Sequence, residues 1–338
     1  MRKKLLHKEQ YSFFKKLFIK ISRKIGFEVI DQSRFFVPSS NLKLNDNLSV
    51  FNQKNITFPL GELKVTRKID SFLVIFRSFT NENKLLSQNK KRIFEKKKKE
   101  YTYKSLQSLC NSMNECQKKI PNIKFFLKVI DDNSSSAVVN NLKKIIKKYK
   151  IKNEISSLDI AKYESKMKFK NNKRMIAHNA HIFDSKLYAK NSNYDLIFFV
   201  EDDYLHQNNS ITEMIYSYQK LSTILNDEII LCPADYPYLY NNLENTVIFA
   251  GQDRHWRKVK ESLCTYLISK KLLLKNWKEY ESMMTNNFNP YEKPLHKIYK
   301  KFNCFSPMPS LSTHMTNVNS IYGISPFTNV LKIWKSTR

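Results

Sequence analysis

The sequence is short of glycine, of acidic residues and of long apolar runs, and each shortage removes a class of protein. Among 338 residues there are only 4 glycines, Gly26, Gly61, Gly251 and Gly323, all far apart. A dinucleotide fingerprint or a Walker loop needs clustered glycines so that backbone N–H groups can approach phosphates, so both are excluded. The 5 cysteines, at positions 110, 116, 232, 264 and 304, are odd in number and lack C-x-x-C spacing. This argues against a disulfide framework or a zinc knuckle and for a reducing compartment. No apolar run has the length of a membrane span, and the N-terminus lacks an uninterrupted apolar stretch followed by a small-residue cleavage site. A cytoplasmic protein is expected, peripheral at the inner membrane face if its N-terminal segment binds lipid.

What is present is a hydrophobic fraction of 41% with 13% aromatics, too rich for a disordered chain and enough for one main core. Lys and Arg number 59 against 30 Asp and Glu, a net charge of +29. Such charge suits an anionic partner, whether nucleic acid, phospholipid or a phosphorylated ligand; a coding bias toward lysine and asparagine is the alternative source. Residues 1–29 read as a basic amphipathic helix: Leu6, Phe13, Phe14, Leu17, Phe18, Ile21 and Ile25 recur at helical spacing among lysines. It can dock on an anionic membrane surface or pack on its own domain. Residues 31–69 are polar and weakly periodic, a preface with short strands, and the main domain is expected over 70–335.

From Ser71 onward, short apolar runs alternate with helical patterns. Strands are expected at 71–79, 124–130, 155–160, 195–200 and 228–234, with a further apolar run at 247–251. Helices are expected at 104–118, 137–149, 177–189 and 211–225, and TYLISKKLLLKNW (265–277) forms one more apolar stretch. Alternation of this kind predicts an α/β fold with a mostly parallel sheet flanked by helices. The lysine-rich run 88–104 reads as a solvated face close to the binding edge.

Two acidic clusters follow strands directly: Asp131 and Asp132 in VIDDNSSS, and Glu201, Asp202 and Asp203 in FFVEDDYL. Ligands of open α/β sheets bind outside the carboxyl ends of the strands, so both clusters belong to one edge. Alternation along an extended segment would set Glu201 and Asp203 on one side. Mg²⁺ or Mn²⁺ takes carboxylate oxygens and bridges to substrate phosphates. An acidic turn capping the following helix is the structural alternative.

These strings, with the Asn-containing helical segment KRMIAHNAHIFDSKLYAK (173–190) between them, resemble nucleotide-sugar glycosyltransferases of the GT-A fold, particularly the family 2-like group. FFVEDD matches the family's DxD motif, with Glu201 at the first acid and Asp203 at the last. The resemblance, which spans residues 70–316, implies that Asp203 ligates a divalent cation on the donor diphosphate and that Glu201 or Asp202 assists. It places Asp131 or Asp132 at the nucleoside, with Arg77 beside it. The segment 289–315 resembles the family's stretch in which an acid opening a helix is the catalytic base and a later histidine joins the metal, which implies Glu292 and His314. Two departures stand out. The first acid is Glu, and Asn133 replaces the glycine usual after the nucleoside-binding acids.

An inverting transfer needs a carboxylate to take the acceptor's proton and cations to neutralise the departing diphosphate. Arg254, His255, Arg257 and Lys258 are candidates for the second task; Asp253 and Glu261 compete with Glu292 for the first. His178 and His181 are expected to be structural, and the tyrosines of 235–242 are candidates to stack on a sugar. The function expected is therefore a metal-dependent glycosyltransferase, with a nucleotide-sugar donor and a glycan or lipid-linked acceptor. The alternatives are a two-metal nuclease or phosphotransferase, in which the charge would bind nucleic acid, and a basic adaptor without catalysis.

Overall fold

A computed structural model describes residues 13–27, 29, 50–52, 54–57, 61–81, 92–170, 172–240, 246–316 and 320–337. The expectations for residues 1–12, 30–49 and 88–91 lie outside the described residues. Helix α1 (Phe13–Lys24) ends at Gly26, whose φ of +88° permits the closing pair of bonds from Gly26 N to Arg23 O and from Phe27 N to Ser22 O. A hairpin of β1 (Lys54–Thr57) and β2 (Gly61–Lys64) supplies the short strands expected in the preface.

The main domain runs β3 (Ser71–Ser78), α2 (Lys98–Lys119), β4 (Lys124–Asp131), α3 (Ser136–Lys147), β5 (Asn153–Ser157), α4 (Ala161–Glu164), α5 (Lys173–Asn191), β6 (Leu196–Glu201), β7 (Tyr204–His206) and α6 (Ser210–Leu225). It continues with β8 (Ile229–Leu231), β9 (Ile248–Ala250), β10 (His255–Val259), β11 (Tyr266–Ser269), α7 (Lys270–Lys275), α8 (Trp277–Thr285), α9 (Lys293–Lys301), β12 (Asn303–Met308), β13 (Ser312–His314) and α10 (Val330–Ser336). The central sheet has the order β5-β4-β3-β6-β11-β8-β12-β10-β9. Every strand but β10 and β11 points the same way, which is the mostly parallel, helix-flanked sheet expected from the sequence.

Period-two alternation assigns the layers. Phe72, Val74 and Phe76 face a core closed by α2, α3 and α6, whereas Leu73 and Ile75 face a core closed by α5, α7, α8 and α9. Because β3 is covered on both faces, it reads as an unbroken apolar run, and each such fully buried side chain contributes about 1.5–3 kcal/mol. The stretch 265–277 is not one element: β11 leaves the sheet at Ser269, whose side chain accepts from Leu272 N and starts α7. Helix α2 begins six residues before the expected start, and β5 ends before the expected one. All five cysteines are buried free thiols. Among the described residues, no helix is long and apolar enough to cross a membrane.

Candidate active site

The parallel registers Ser78↔Asp131 and Arg77↔Glu201 put both acidic clusters at the carboxyl edge of the sheet, with only β3 between their strands. Two strand spacings amount to about 10 Å. The alternation rule fails one residue later: Glu201 ends β6, and Asp202 and Asp203 form a turn into β7. A turn sends the three acids to different partners.

Glu201 Oε1 accepts from Arg77 Nη2 at 3.0 Å, and its backbone N donates to Thr265 Oγ1 at 3.1 Å. Asp202 Oδ2 accepts from Phe79 N at 2.9 Å and Thr102 Oγ1 at 2.8 Å, while Oδ1 meets the Lys98 ammonium. Asp203 Oδ2 accepts from Arg92 Nη1 at 2.7 Å and lies 3.6 Å from Lys98 Nζ. Burial alone would raise the Asp203 pKa, but Lys98, His314 and Arg92 outweigh it and hold the carboxyl well below the usual range. Arg92, Lys98 and Thr102 belong to the stretch around the lysine-rich run that reads as solvent-facing in sequence. Instead Arg92 and Lys98 are buried. Their segment is fastened by Ile93 N to Thr316 O at 2.9 Å, and by Phe94 and Tyr101 against Trp334 of α10.

His314 arrives through a second small ladder, in which β13 pairs with β7 at His314↔Tyr204 and Met315 N donates to Asp203 O at 2.7 Å. Its ring stacks on Tyr204 at 4.8 Å. His314 Nδ1 lies 3.2 Å from Tyr322 O, and a carbonyl only accepts, so this contact assigns the ring proton to Nδ1. His314 Nε2 lies 3.5 Å from Asp203 Oδ1. The donor set thus fits a divalent ion bound by Asp203 and His314 and completed by phosphate oxygens, the way Mg²⁺ is often held. Among the described residues, no three His, Cys, Asp or Glu side chains group closely enough to hold an ion by themselves.

Glu292, half-buried, is the residue immediately before α9. Burial first, and the Glu201 charge second, push its carboxyl up to about 7, against its own backbone N–H and His314, which lower it. Asp131 is satisfied by Ser78 Oγ at 2.6 Å and Ser134 N at 2.8 Å. Asp132, raised by burial, accepts from Asn133 Nδ2 at 3.1 Å. Asn133 itself has φ +52°, the left-handed region that Asn tolerates best after glycine.

Other candidates have different partners. Arg254 Nη2 donates to Gln207 Oε1 at 2.7 Å, and Arg257 pairs with Asp235; neither contact is to the acid cluster. Gly251 is a packing glycine, since a Cβ there would come within 2.4 Å of Ser217 Oγ and 2.6 Å of Glu213 Oε1. His181 lies 2.9 Å from Ile130 O, and His178 meets Tyr291 edge-on; burial and then Arg77 push both down to about 3, so both rings are neutral.

No protein-family model matches the sequence, and no curated protein matches it. Solved structures similar to it include TarS 1–349 from S. aureus, 12% identical over 69% of this chain and 57% of its own, with a TM-score of 0.39. GalNAc-T7 with UDP, GalNAc and Mn²⁺ is 10% identical over 74% of this chain and 44% of its own, TM-score 0.42. The galactosyltransferase LgtC with donor and acceptor sugar analogs is 13% identical over 78% and 91%, TM-score 0.35. The chain thus spans just over half the length of the TarS fragment. Similarity at this level assigns no residue and no substrate.

Proposed function

We propose that this chain is a metal-dependent glycosyltransferase that moves a sugar, with inversion, from a nucleoside-diphosphate donor to a glycan or lipid-linked acceptor. The observation that carries the reading is the approach of His314 Nε2 to Asp203 Oδ1 at 3.5 Å, within electrostatic range of Glu292, whose carboxyl burial pushes up to about 7. Asp203 and His314 would hold the cation, which when bound supplies positive charge to the leaving diphosphate. Arg92 and Lys98 stand beside the same carboxylates with further positive charge. Glu292 takes the proton of the acceptor hydroxyl as that oxygen bonds to the anomeric carbon. The bond from that carbon to the diphosphate breaks at the same time, and the diphosphate leaves with the electron pair. Asp131 and Asp132, one strand beyond β3, are assigned to the nucleoside, with Arg77 orienting Glu201 between them.

One assay tests the reading and its pH dependence. With Mn²⁺ and UDP- or GDP-activated sugars, one donor is expected to raise the melting temperature by mass action and to be turned over. A base must be deprotonated to act, and a raised carboxyl pKa delays that, so turnover is expected to climb between about pH 6 and 8 with a midpoint near 7. Glu292→Gln should lower kcat by about 10²–10⁴-fold with donor binding kept. If no donor binds or is hydrolysed, the proposal fails; a flat pH profile removes Glu292 as the base.

We further infer that α1 docks on an anionic membrane surface. Its apolar residues remain exposed, Phe13 at 73%, Phe14 at 79% and Phe18 at 61%. Lys16, Lys20 and Lys24 flank the apolar arc, and each cation near an anionic surface adds about 1 kcal/mol. The full chain is expected to sediment with phosphatidylcholine vesicles only when they contain an anionic lipid, and Phe14→Asp with Phe18→Asp should release it. Equal sedimentation with both vesicle types would count against the docking.

A further inference from the structure

The turn ahead of α10 holds a large apolar side chain out in water on a strained backbone. Phe327 is 92% exposed and has φ +58°, the left-handed region that glycine and asparagine tolerate and bulky residues rarely enter. No core contact offsets the strain, since Phe327 belongs to none of the buried clusters of the described residues. The turn is nevertheless fixed from behind. Val330 N donates to Thr328 O at 3.0 Å, and Asn329 Oδ1 accepts from Lys332 N at 2.9 Å to cap α10. Val330 packs with Tyr101, Leu205 and Met315, and Trp334 packs on Phe94 and Tyr101. Leu331, Lys332 and Lys335 are left on the exposed side of the helix.

Position and charge give this exposed tip a meaning. Phe94 and Tyr101, on which α10 rests, belong to the stretch that brings Arg92 and Lys98 to Asp203, and Met315 N donates to Asp203 O. The helix therefore borders the acid-bearing edge of the sheet. Glu292 is the last acid in the sequence, so residues 293–338 carry cations alone, Lys332 and Lys335 among them. Lys96 and Lys97, with one exposed acid, Glu95, follow Phe94 and are exposed too. An aromatic tip beside a cationic helix face suits an anionic bilayer: the ring enters the boundary between headgroups and acyl chains, and the ammonium groups meet lipid phosphates. A soluble polyanion would answer the lysines and leave Phe327 and Leu331 in water.

We propose that Phe327 and Leu331 insert into the headgroup layer of an anionic phospholipid bilayer, with Lys332 and Lys335 on its phosphates, so that the acid-bearing edge of the sheet opens beside the membrane. The contact is separate from α1 and stands without the glycosyltransferase reading; its use, to present a lipid-linked acceptor to the site, rests on that reading. A strained, outward aromatic then has a purpose that glycine at the same position would not serve.

The test uses the full chain and vesicles of phosphatidylcholine with or without phosphatidylglycerol, a portion of them carrying brominated acyl chains. Phe327→Trp adds an indole at the tip, and the added fluorescence is expected to shift to the blue and be quenched by brominated anionic vesicles but not by neutral ones. Phe327→Gly separates this role from a structural one. Glycine suits φ +58°, so the variant should melt no lower than the parent while its partition into anionic vesicles falls about tenfold, as when one buried aromatic is removed. Lys332→Glu with Lys335→Glu should weaken the same partition by about tenfold or more. An unquenched indole on vesicles that α1 still holds, an unchanged partition of Phe327→Gly, or a full chain that binds neither vesicle type would overturn the contact. A quenched indole in a protein that turns over no nucleotide sugar would keep the contact and remove the acceptor role.

Discussion

Asp203→Asn is expected to lower turnover by about 10²–10³-fold, because a weakened hold on the cation removes one preorganised positive charge opposite the developing negative charge. Asparagine keeps the shape and one oxygen, so the change isolates the charge. It should also abolish Mn²⁺ binding measured by electron paramagnetic resonance in the presence of a nucleoside diphosphate, a readout independent of chemistry. Folding should survive, because Arg92 keeps Met315 O at 3.2 Å and Lys98 keeps Asp202. A loss of about 1–3 kcal/mol is nevertheless expected from the weakened charge-assisted bonds. Asp203 carries two tasks on two oxygens, Oδ2 toward Arg92 and Oδ1 toward His314. A variant with full activity and full Mn²⁺ affinity would remove Asp203 from the site and leave it a structural ion-pair member.

Much of this arrangement is legible in the residues, and the rest is hidden for identifiable reasons. The runs FLVIF, FFLKVI and LIFFV announce strands because both faces of the sheet are covered, so no polar residue interrupts them long enough to suggest a helix. Acids placed directly after two of those runs mark the functional edge through topology alone. Three things are not visible. Asp202 and Asp203 turn instead of extending, since the β7–β13 ladder, formed with residues over a hundred positions away, decides the local backbone. Arg92 and Lys98 sit among many lysines of identical appearance, and a composition rich in lysine supplies no contrast between a buried cation and a solvated one. Helix α2 opens on Lys98 and Lys99, cations at positions where the macrodipole favours acids, with Glu100 following them in the same turn. The one available signal is the pairing of that run with the carboxylates at the same sheet edge, because three adjacent acids need counter-charge from somewhere. Arg257 lies apart from these acids: β10 is beyond β12 in the sheet, and Asp235 takes the guanidinium.

Lys98→Met should be the most destabilising single change at this edge. Lys98 is 6% exposed and joins Asp202, with Asp203 at 3.6 Å, so one ammonium serves two buried carboxylates. Methionine fills similar volume and fits the α2 start, so packing and helix propensity are nearly conserved and the measured loss reports charge. Breaking a buried ion pair by removing one partner costs about 3–5 kcal/mol, since the remaining carboxylate stays out of water without its counter-ion. Phe79 N and Thr102 Oγ1 still bond Asp202, which places the expected value at the lower end of that range. Denaturant unfolding should show the loss as a lowered midpoint with an unchanged slope. Asp202→Asn added to Lys98→Met should restore a large part of it, because the orphaned charge is then gone and the same two bonds remain available to the amide oxygen. The double-mutant cycle separates this account from simple damage to α2: a cavity or a frayed helix would be indifferent to the second substitution, and a cycle without coupling would show that the ammonium does not hold these acids together.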